Sequence, residues 1–317
     1  MTPAPIEVRG LVKRYGELTA VDHVDLTVEA GDVYGYLGPN GAGKTTSLRM
    51  MLGLIRPTEG SVRLFGRDPQ QTVEALQGVA GFVEAPTFYP YMTGRRNLQL
   101  LAAYDGADAP QRIDSSLEMV ELTGRASDRV GGYSHGMRQR LGIAAALLRD
   151  PQLLLLDEPA TGLDPAGMRD MRLLIRRLAD EGMTVLLSSH LLGEVEELCN
   201  RVAIVRSGRI VYEGTIAALA RGAGTLYRLA TSDEEVARRV CEAQPGVGEV
   251  RSEHGKLVFS SDEDSVGALS RALIEAGVLI RELAPMTVTL EDLFFSLTEG
   301  DGAGPPAPAQ EPAGMLG

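Results

Sequence analysis

Apolar and polar residues alternate from Ile6 to Val28, with an interruption at Tyr15-Gly16-Glu17. This period of two predicts a β-hairpin in a mixed or antiparallel sheet. By contrast, Leu153 to Leu156 is continuously apolar and Thr184 to Ser188 has an apolar centre. Such runs are typical of parallel strands that are buried on both faces. The other predicted strands are Val33 to Leu37, Ser61 to Phe65, Val79 to Glu84, and a second hairpin of Val202 to Val205 with Ile210 to Glu213.

Apolar residues spaced three and four positions apart recur between these strands, which indicates helices. The predicted helices cover residues 47–52, 97–104, 113–122, 138–148, 168–180 and 192–200. Three of them fall within residues 87–150, and we interpret that stretch as a helical subdomain inserted between strands. The alternation of strands and helices predicts an α/β fold for residues 1–221.

The pattern changes after Gly222-Ala223-Gly224, which is predicted to be a linker. Residues 222–298 predict a small α+β domain of ferredoxin-like order, β-α-β-β-α-β, with a short helix at Leu290 to Leu297. The predicted elements are strands 225–230, 247–252, 256–260 and 278–283 and helices 234–243 and 265–276. Residues 299–317 are rich in Gly, Pro and Ala, and we expect disorder there.

A glycine-rich turn lies between the predicted strand Val33 to Leu37 and the first helix. Its residues are Gly38, Pro39, Asn40, Gly41, Ala42, Gly43, Lys44, Thr45 and Thr46. Glycine tolerates backbone angles that point successive N–H groups at phosphate oxygens, and a helix N-terminus adds partial positive charge. Lys44 supplies a full charge to the phosphates and Thr45 a hydroxyl to Mg²⁺. Strand, turn, Lys-Thr and helix therefore predict a P-loop that binds a nucleoside triphosphate with Mg²⁺.

Two carboxylates follow the buried strand at Leu153 to Leu156. Open α/β sheets bind ligands at the carboxyl ends of their strands, so Asp157 and Glu158 are candidate site residues. Asp157 is a predicted metal partner beside Thr45. Glu158 is placed to orient and deprotonate an attacking water, as a general base.

The net charge of -12 opposes non-specific binding to nucleic acid and to an anionic membrane surface. No apolar run is long enough to cross a bilayer, and we expect no signal peptide. The two cysteines, Cys199 and Cys241, lack metal-ligand spacing and fit a reducing, cytoplasmic setting. We therefore expect no direct membrane insertion, and any membrane association to depend on a protein partner.

Four further motifs give the chain a family resemblance over residues 6 to about 220. Tyr133-Ser134-His135-Gly136-Met137 is similar to the Leu-Ser-Gly-Gly-Gln signature motif of ATP-binding cassette (ABC) ATPases. Thr161-Gly162-Leu163-Asp164 matches their D-loop, and Ser188-Ser189-His190 their switch histidine. Tyr15 matches their adenine-stacking aromatic residue. The resemblance implies a P-loop NTPase of the ABC ATPase type.

The resemblance also implies roles for these residues. Two copies are expected to enclose ATP head to tail, with Ser134 and Gly136 of one copy facing the γ-phosphate that the other copy holds. Asp164 belongs to the loop that signals across this homodimer. His190 is expected to contact the γ-phosphate and to link it to Glu158.

The chain departs from the family pattern at two positions. Glu84 stands where ABC ATPases have the Q-loop glutamine, as in bacitracin- and lantibiotic-type exporter ATPases. It could hold Mg²⁺ or the attacking water as a catalytic residue, or it could be a neutral replacement for positioning. His135 replaces a glycine of the signature motif. Its side chain could point away and leave binding to the amide of Gly136, or it could give the site a pH-sensitive element.

Thr289 to Thr298 resembles the closing segment of daunorubicin-resistance-type exporter ATPases of the ABC-2 class. This resemblance implies an exporter subunit at the cytoplasmic face of the membrane, bound to an ABC-2-type permease through Glu84 to about Leu98. The second domain could regulate, stabilise a dimer, or simply pack onto the core. Two rivals stay open: an importer ATPase, and a soluble ABC-type ATPase of translation or DNA maintenance. The sequence does not identify the cargo.

Overall fold

The computed structural model describes residues 3–106, 108–222, 225–253 and 255–286. Contacts divide the chain into two compact units after Ile216, close to the predicted boundary at residue 221. The predicted helix at 290–297, the segment 289–298 and the tail 299–317 lie outside the described residues. Among the residues that are described, no helix has the length and apolar character needed to cross a bilayer.

The first unit alternates strands and helices, as predicted. Its strands are β1 (Ile6–Tyr15), β2 (Leu18–Val28), β3 (Val33–Leu37), β4 (Glu59–Leu64), β5 (Val79–Phe82), β6 (Leu153–Asp157), β7 (Thr184–Ser189), β8 (Arg201–Arg206) and β9 (Arg209–Thr215). Its helices are α1 (Lys44–Met51), α2 (Gly94–Ala102), α3 (Ile113–Met119), α4 (His135–Leu147), α5 (Pro165–Asp180) and α6 (Leu192–Leu198), while α7 (Ile216–Gly222) starts at the last residue of this unit and belongs mostly to the second. Helices α2 to α4 lie between β5 and β6 in the chain, where the helical subdomain is predicted. Helix α7 was not predicted, and it reaches into the stretch interpreted as a linker.

These strands form two sheets in the described part of the first unit. The predicted hairpin of β1 and β2 is confirmed, and β4 adds to β1 to give a three-stranded antiparallel sheet ordered β2-β1-β4. The central sheet has the order β5-β6-β7-β3-β8-β9. Its first five strands are parallel, and β9 runs antiparallel to them. Every residue of β3, β6 and β7 is buried, as continuous apolar runs predict.

The core of the first unit packs the hairpin sheet and α1 against the central sheet. Val8 and Leu26 of the hairpin, Leu48 of α1, and Leu155 and Leu186 of the central sheet belong to one buried cluster. Burying each such side chain contributes about 1.5–3 kcal/mol. The start of α1 is therefore held between two packed layers, which fixes the turn that precedes it.

Polar caps determine where several helices begin. Ser134 accepts a hydrogen bond from the Met137 amide, so α4 begins at His135 and not at the predicted Arg138. Asp164 caps α5 in the same way, which moves its start to Pro165 from the predicted Met168. The strand predicted to reach Glu84 ends at Phe82 instead, because Glu84 has a left-handed backbone, with φ 70°.

The second unit has the element order β-α-β-β-α-β. Its elements are β10 (Thr225–Thr231), α8 (Glu234–Ala243), β11 (Val247–Glu253), β12 (Lys256–Ser261), α9 (Glu263–Glu275) and β13 (Ile280–Met286). The strands pair antiparallel in the order β11-β12-β10-β13, which is a ferredoxin-like arrangement. Tyr227, Leu229 and Phe259 of the sheet pack with Leu269 and Leu273 of α9. This unit therefore has a core of its own.

Candidate active site

The central sheet brings three motifs to one edge. Strands β6, β7 and β3 are parallel neighbours, so their carboxyl ends lie side by side. The P-loop follows β3. Asp157 is the last residue of β6 and Glu158 comes directly after it, while His190 follows β7. The amide of Gly38 donates to the Ser189 carbonyl at 3.2 Å, which ties the P-loop to the end of β7.

The P-loop needs glycine for geometric reasons at two positions. Gly43 has φ 98°, and a Cβ added there would lie 2.3 Å from the Ala20 carbonyl oxygen. A Cβ on Gly38 would lie 2.5 Å from the Val205 carbonyl oxygen. Gly43 is the N-cap of α1 and provides no side-chain cap. The first amides of α1 therefore keep their capacity to donate to an anion.

Lys44 is turned inward over the P-loop and is only 5% exposed. Its Nζ donates to the carbonyl oxygens of Gly38 at 2.8 Å and Pro39 at 3.2 Å. The same nitrogen lies 3.2 Å from Oε1 of Glu158. This buried ammonium group is thus already positioned at the carboxyl edge of the sheet.

Asp157 is buried and joins the P-loop helix to β7. Thr45 Oγ1 donates to Asp157 Oδ2 at 2.8 Å, and Ser188 Oγ donates to Asp157 Oδ1 at 2.5 Å. The structure thus brings together two of the three residues predicted to serve Mg²⁺, Thr45 and Asp157. Hydroxyl and carboxylate oxygens are suitable ligands for that ion.

Glu158 is held on three sides. Its Oε2 accepts from Thr161 Oγ1 at 2.8 Å and lies 3.0 Å from Nδ1 of His190, while Oε1 faces Lys44. Partial burial opposes ionisation, but the Thr161 hydrogen bond and the charge of Lys44 outweigh it and hold the pKa of Glu158 below its ordinary value. The carboxylate is therefore ionised at neutral pH. The predicted link between Glu158 and His190 is present.

Behind the switch histidine lies a buried carboxyl group that the sequence did not single out. Ser189 Oγ donates to Glu194 Oε2 at 2.5 Å, and the other oxygen, Oε1, has no hydrogen-bond partner in the described part of the chain. Burial raises the pKa of Glu194 despite the Ser189 hydrogen bond. This contact anchors the turn that carries His190.

Glu84 is not part of this network. Its carboxylate pairs with Arg49 of α1, and its side chain is 66% exposed. The predicted metal and catalytic residue is thus engaged with a guanidinium group beside the P-loop helix.

The signature segment, residues 134–137, lies at the start of α4, where Ser134 is exposed and the other three residues are half-buried. Ser134 Oγ caps the Met137 amide at 3.2 Å, and Gly136 is the second helical residue. His135 has ordinary helical geometry, so the replacement of glycine causes no backbone strain. Its ring lies beside the D-loop, residues 161–164. Asp164 of that loop caps α5, where its Oδ1 accepts from the Gly167 amide at 3.0 Å.

Tyr15 ends β1 and is 49% exposed. The ammonium group of Lys13 lies 5.1 Å from the centre of its ring. An exposed aromatic face at this position is available for stacking.

Sequence reasoning missed four residues that organise the site: Arg49, Thr161, Ser188 and Glu194. Ser188 and Thr161 lie within recognised motifs, but their hydroxyl contacts depend on how separate loops meet. Thr161 is three residues after Glu158 in a turn, which is a spacing that could have suggested a local hydrogen bond. Nothing in the sequence pairs Arg49 with Glu84.

A glycine-rich turn before a helix, a buried lysine and two carboxylates at the end of a parallel strand define a P-loop nucleoside triphosphatase. The comparisons with known proteins refine this class. The ABC transporter family matches residues 21–161. The chain is 38% identical over 299 residues to the bacitracin transport ATP-binding protein BcrA of Enterococcus faecalis, covering 94% of this chain and 97% of that protein.

A second relative and a solved structure support the same family. The daunorubicin/doxorubicin resistance ATP-binding protein DrrA of Streptomyces peucetius is 37% identical over 306 residues, 92% of each chain. The solved dimeric bacterial ABC transporter cassette MJ0796 superimposes with a TM-score of 0.59 at 26% identity, covering 67% of this chain and 98% of that one. The chain belongs to the ABC transporter family of ATP-binding proteins and is an ATP hydrolase. The fold and family predicted from the motifs are confirmed.

Proposed function

We propose that this chain hydrolyses Mg²⁺-ATP with Glu158 as general base and thereby powers export through a separate membrane subunit. The observation that carries the chemistry is the convergence of Lys44, Thr45-Asp157 and Glu158 at one edge of the sheet. Contacts of 2.8 to 3.2 Å join these side chains.

Lys44 and the P-loop amides of residues 38–46 would hold the phosphates. Lys44 Nζ now donates to two neutral carbonyl oxygens. Moving these hydrogen bonds to phosphate oxygens is favourable, because the ammonium group would then face acceptors of opposite charge in place of neutral ones. Tyr15 would stack on adenine.

Thr45 and Asp157 would hold Mg²⁺. Their oxygens lie 2.8 Å apart, and both are of the hard type that this ion prefers. The described residues contain no cluster of three or more His, Cys, Asp or Glu side chains suited to a metal. One or two protein ligands suffice when phosphates and water supply the others. Bound Mg²⁺ would neutralise charge on the phosphate oxygens.

Glu158 would take a proton from the attacking water. Its lowered pKa keeps it ionised at neutral pH, and Thr161 and His190 both contact Oε2, which fixes the orientation of the carboxylate. His190 would also contact the γ-phosphate. For Glu84 two roles remain: release from Arg49 to join the metal or the water, or positioning through Arg49 alone.

The γ-phosphate site would be completed by a second copy of the chain. Ser134 is exposed, Gly136 is half-buried, and the segment starts a helix, so its amides and the Ser134 hydroxyl can face an anion held by a partner. The P-loop of each copy would thus provide one half of a site, and the partner's Ser134 and Gly136 the other. Asp164 would lie beside this interface.

The relatives named for bacitracin transport and daunorubicin/doxorubicin resistance favour export of a drug-like or peptide cargo. The chain would act at the cytoplasmic face of the membrane through an ABC-2-type permease that contacts residues from Glu84 to about Leu98. Tyr89 and Tyr91 in that stretch are exposed aromatic side chains available for such a contact.

The test is co-expression with a candidate ABC-2-type permease, followed by transport assays in inverted vesicles. Export predicts ATP-dependent uptake of candidate cargo into those vesicles, and Glu158→Gln serves as the inactive control. ATP-driven movement in the opposite direction would indicate an importer. Failure of any membrane protein to co-purify would favour a soluble ABC-type ATPase.

A further inference from the structure

The side chain of His135 contacts the D-loop of its own chain. Its Nε2 lies 3.1 Å from the carbonyl oxygen of Thr161. A carbonyl can only accept, so Nε2 carries the proton and donates it. The ring also lies next to Gly162. A Cβ added at Gly162 would be 3.4 Å from Nε2 of His135.

Thr161 connects this contact to the proposed base. Its Oγ1 donates to Glu158 Oε2 at 2.8 Å, and its amide donates to the Glu158 carbonyl at 3.1 Å. Two hydrogen bonds that share Thr161 therefore connect His135 of the signature segment to the carboxylate of Glu158. A glycine at position 135 could not make the first contact of this path.

We propose that His135 is a positioning residue, which fixes Thr161 and, through the Thr161 hydroxyl, the carboxylate of Glu158. The inference rests on the proposed role of Glu158 as general base. Its consequence is that the signature segment of a chain influences the base of that same chain. Docking of Ser134 and Gly136 on a second copy's nucleotide would thus be communicated to the site across the dimer.

The local geometry explains why Glu158 needs such support. Its backbone has φ 48°, outside both strand and right-handed helix, so no regular element fixes its side chain. Lys44, which now faces Oε1, is expected to turn to the phosphates when ATP binds. Thr161 and His190 then remain as the contacts at Oε2, and displacement of Thr161 would leave the carboxylate on His190 alone.

The contact is positional and not a pH switch. Both the neutral Nε2–H form of imidazole and the imidazolium ion donate from Nε2, so protonation of His135 preserves the hydrogen bond. The charged and titratable groups of the segments that meet at the ring include Glu158, bonded to Thr161, Asp164 at the end of the D-loop, and Arg138, three residues along α4. We therefore expect the same pH profile when a neutral donor replaces His135.

The experiment compares His135→Leu, which lacks a donor, with His135→Gln, whose amide nitrogen reaches about as far as Nε2. Loss of one hydrogen bond in a network predicts about a tenfold lower kcat for the leucine variant. KM for ATP should stay within about twofold, because His135 does not face the P-loop nucleotide of its own chain. The glutamine variant should recover most of kcat and keep the wild-type pH profile.

A double-mutant cycle tests the path itself. Thr161→Val removes the hydroxyl that contacts Glu158, and Thr161→Ser retains it. We expect His135→Leu to add little to the loss caused by Thr161→Val, since both act through one hydroxyl. In the Thr161→Ser background, His135→Leu should have its full effect. Additive losses in the Thr161→Val background would overturn the proposed path.

Nitrogen NMR of the wild-type chain gives a readout that needs no active variant. The sequence has four histidines, and the resonances absent from His135→Gln identify this ring. The neutral ring should be the Nε2–H tautomer. Protonation at Nδ1 instead, or unchanged kcat in His135→Leu, overturns the inference. An ATPase that survives Glu158→Gln overturns the proposed base, which is a separate outcome.

Discussion

Helices α1 and α4 both begin in motifs for ATP, but their N-termini are built differently. At α1 the cap is a left-handed glycine without a side-chain hydrogen bond, and the first helical residue is a buried lysine linked to Glu158. At α4 the exposed Ser134 hydroxyl already satisfies one amide, and the next three residues are half-buried. The first N-terminus has its own cation and carboxylate partners. In the proposed dimer, the second would offer neutral donors to a ligand that another copy holds.

The proposed roles differ in the same way. The N-terminus of α1 serves ATP binding and hydrolysis within its own chain, and that of α4 completes the site of a second copy. Changes at the P-loop edge should impair each chain by itself. Changes in the signature segment should spare ATP binding by a single chain and impair turnover by the pair.

The largest effect is expected for Glu158→Gln, which keeps the size of the side chain but removes the base. General-base catalysis typically contributes about 10²–10⁴-fold, so kcat should fall by that order. ATP binding should persist, because the P-loop amides and Lys44 are unchanged. Steady-state hydrolysis and fluorescent-nucleotide binding measure the two quantities. An undiminished kcat would remove Glu158 from the mechanism.

Lys44→Met should act on binding. Losing a charge-assisted contact to phosphate costs about 1.5–3 kcal/mol, or about 10- to 150-fold in the dissociation constant of ATP. Lys256→Met is a matched control, because it removes a lysine that pairs with Glu282 in the second unit. Titration with a fluorescent ATP analogue distinguishes them. Equal affinities in the two variants would show that Lys44 does not contact the nucleotide.

Ser134→Ala should lower kcat about tenfold while the isolated chain binds ATP as before. The substitution also removes a helix cap, at a cost of about 1 kcal/mol of stability. Thr93→Ala controls for that loss, because Thr93 caps α2 through an equivalent bond of 3.1 Å to the Arg96 amide. Equal kcat values for the two variants, at similar losses of thermal stability, would reduce Ser134 to a structural cap.

A smaller effect is expected in the pH dependence of Thr161→Val. The pKa of Glu158 is lowered, so the active carboxylate is lost only as pH falls through that lowered value. Without the Thr161 hydrogen bond this pKa rises, and the acidic limb of kcat/KM should move to higher pH. Thr161→Ser should leave the limb in place. A limb that moves to lower pH, or does not move, would contradict the assigned cause.

The motifs predicted the parts of the site that local chemistry dictates. The contact of Thr45 with Asp157 follows from a P-loop helix beside the end of β6, and strong apolar runs were sufficient to locate the buried strands. Contacts that depend on the path of irregular turns were not predictable. Arg49 with Glu84 and His135 with Thr161 each join segments far apart in the chain.

The predicted ends of several elements were wrong for a related reason. The predicted starts of α4 and α5 followed the apolar spacing, whereas Ser134 and Asp164 set the actual starts through their hydrogen bonds. Strand β5 was predicted to reach Glu84 but ends at Phe82. The backbone of Glu84 is left-handed, and its side chain pairs with Arg49. Propensity describes the middle of an element, and specific caps and ion pairs decide its ends.

The central claim is that two copies complete each other's sites, and the mass of Glu158→Gln in solution tests it most directly. With Mg²⁺ and ATP, this variant should sediment as a dimer, because bound ATP is not consumed. With ADP it should sediment as a monomer, and adding Ser134→Ala should weaken the ATP-dependent dimer while Thr93→Ala should not. A monomer in saturating ATP, or a dimer whose stability ignores both ATP and Ser134, would contradict the account.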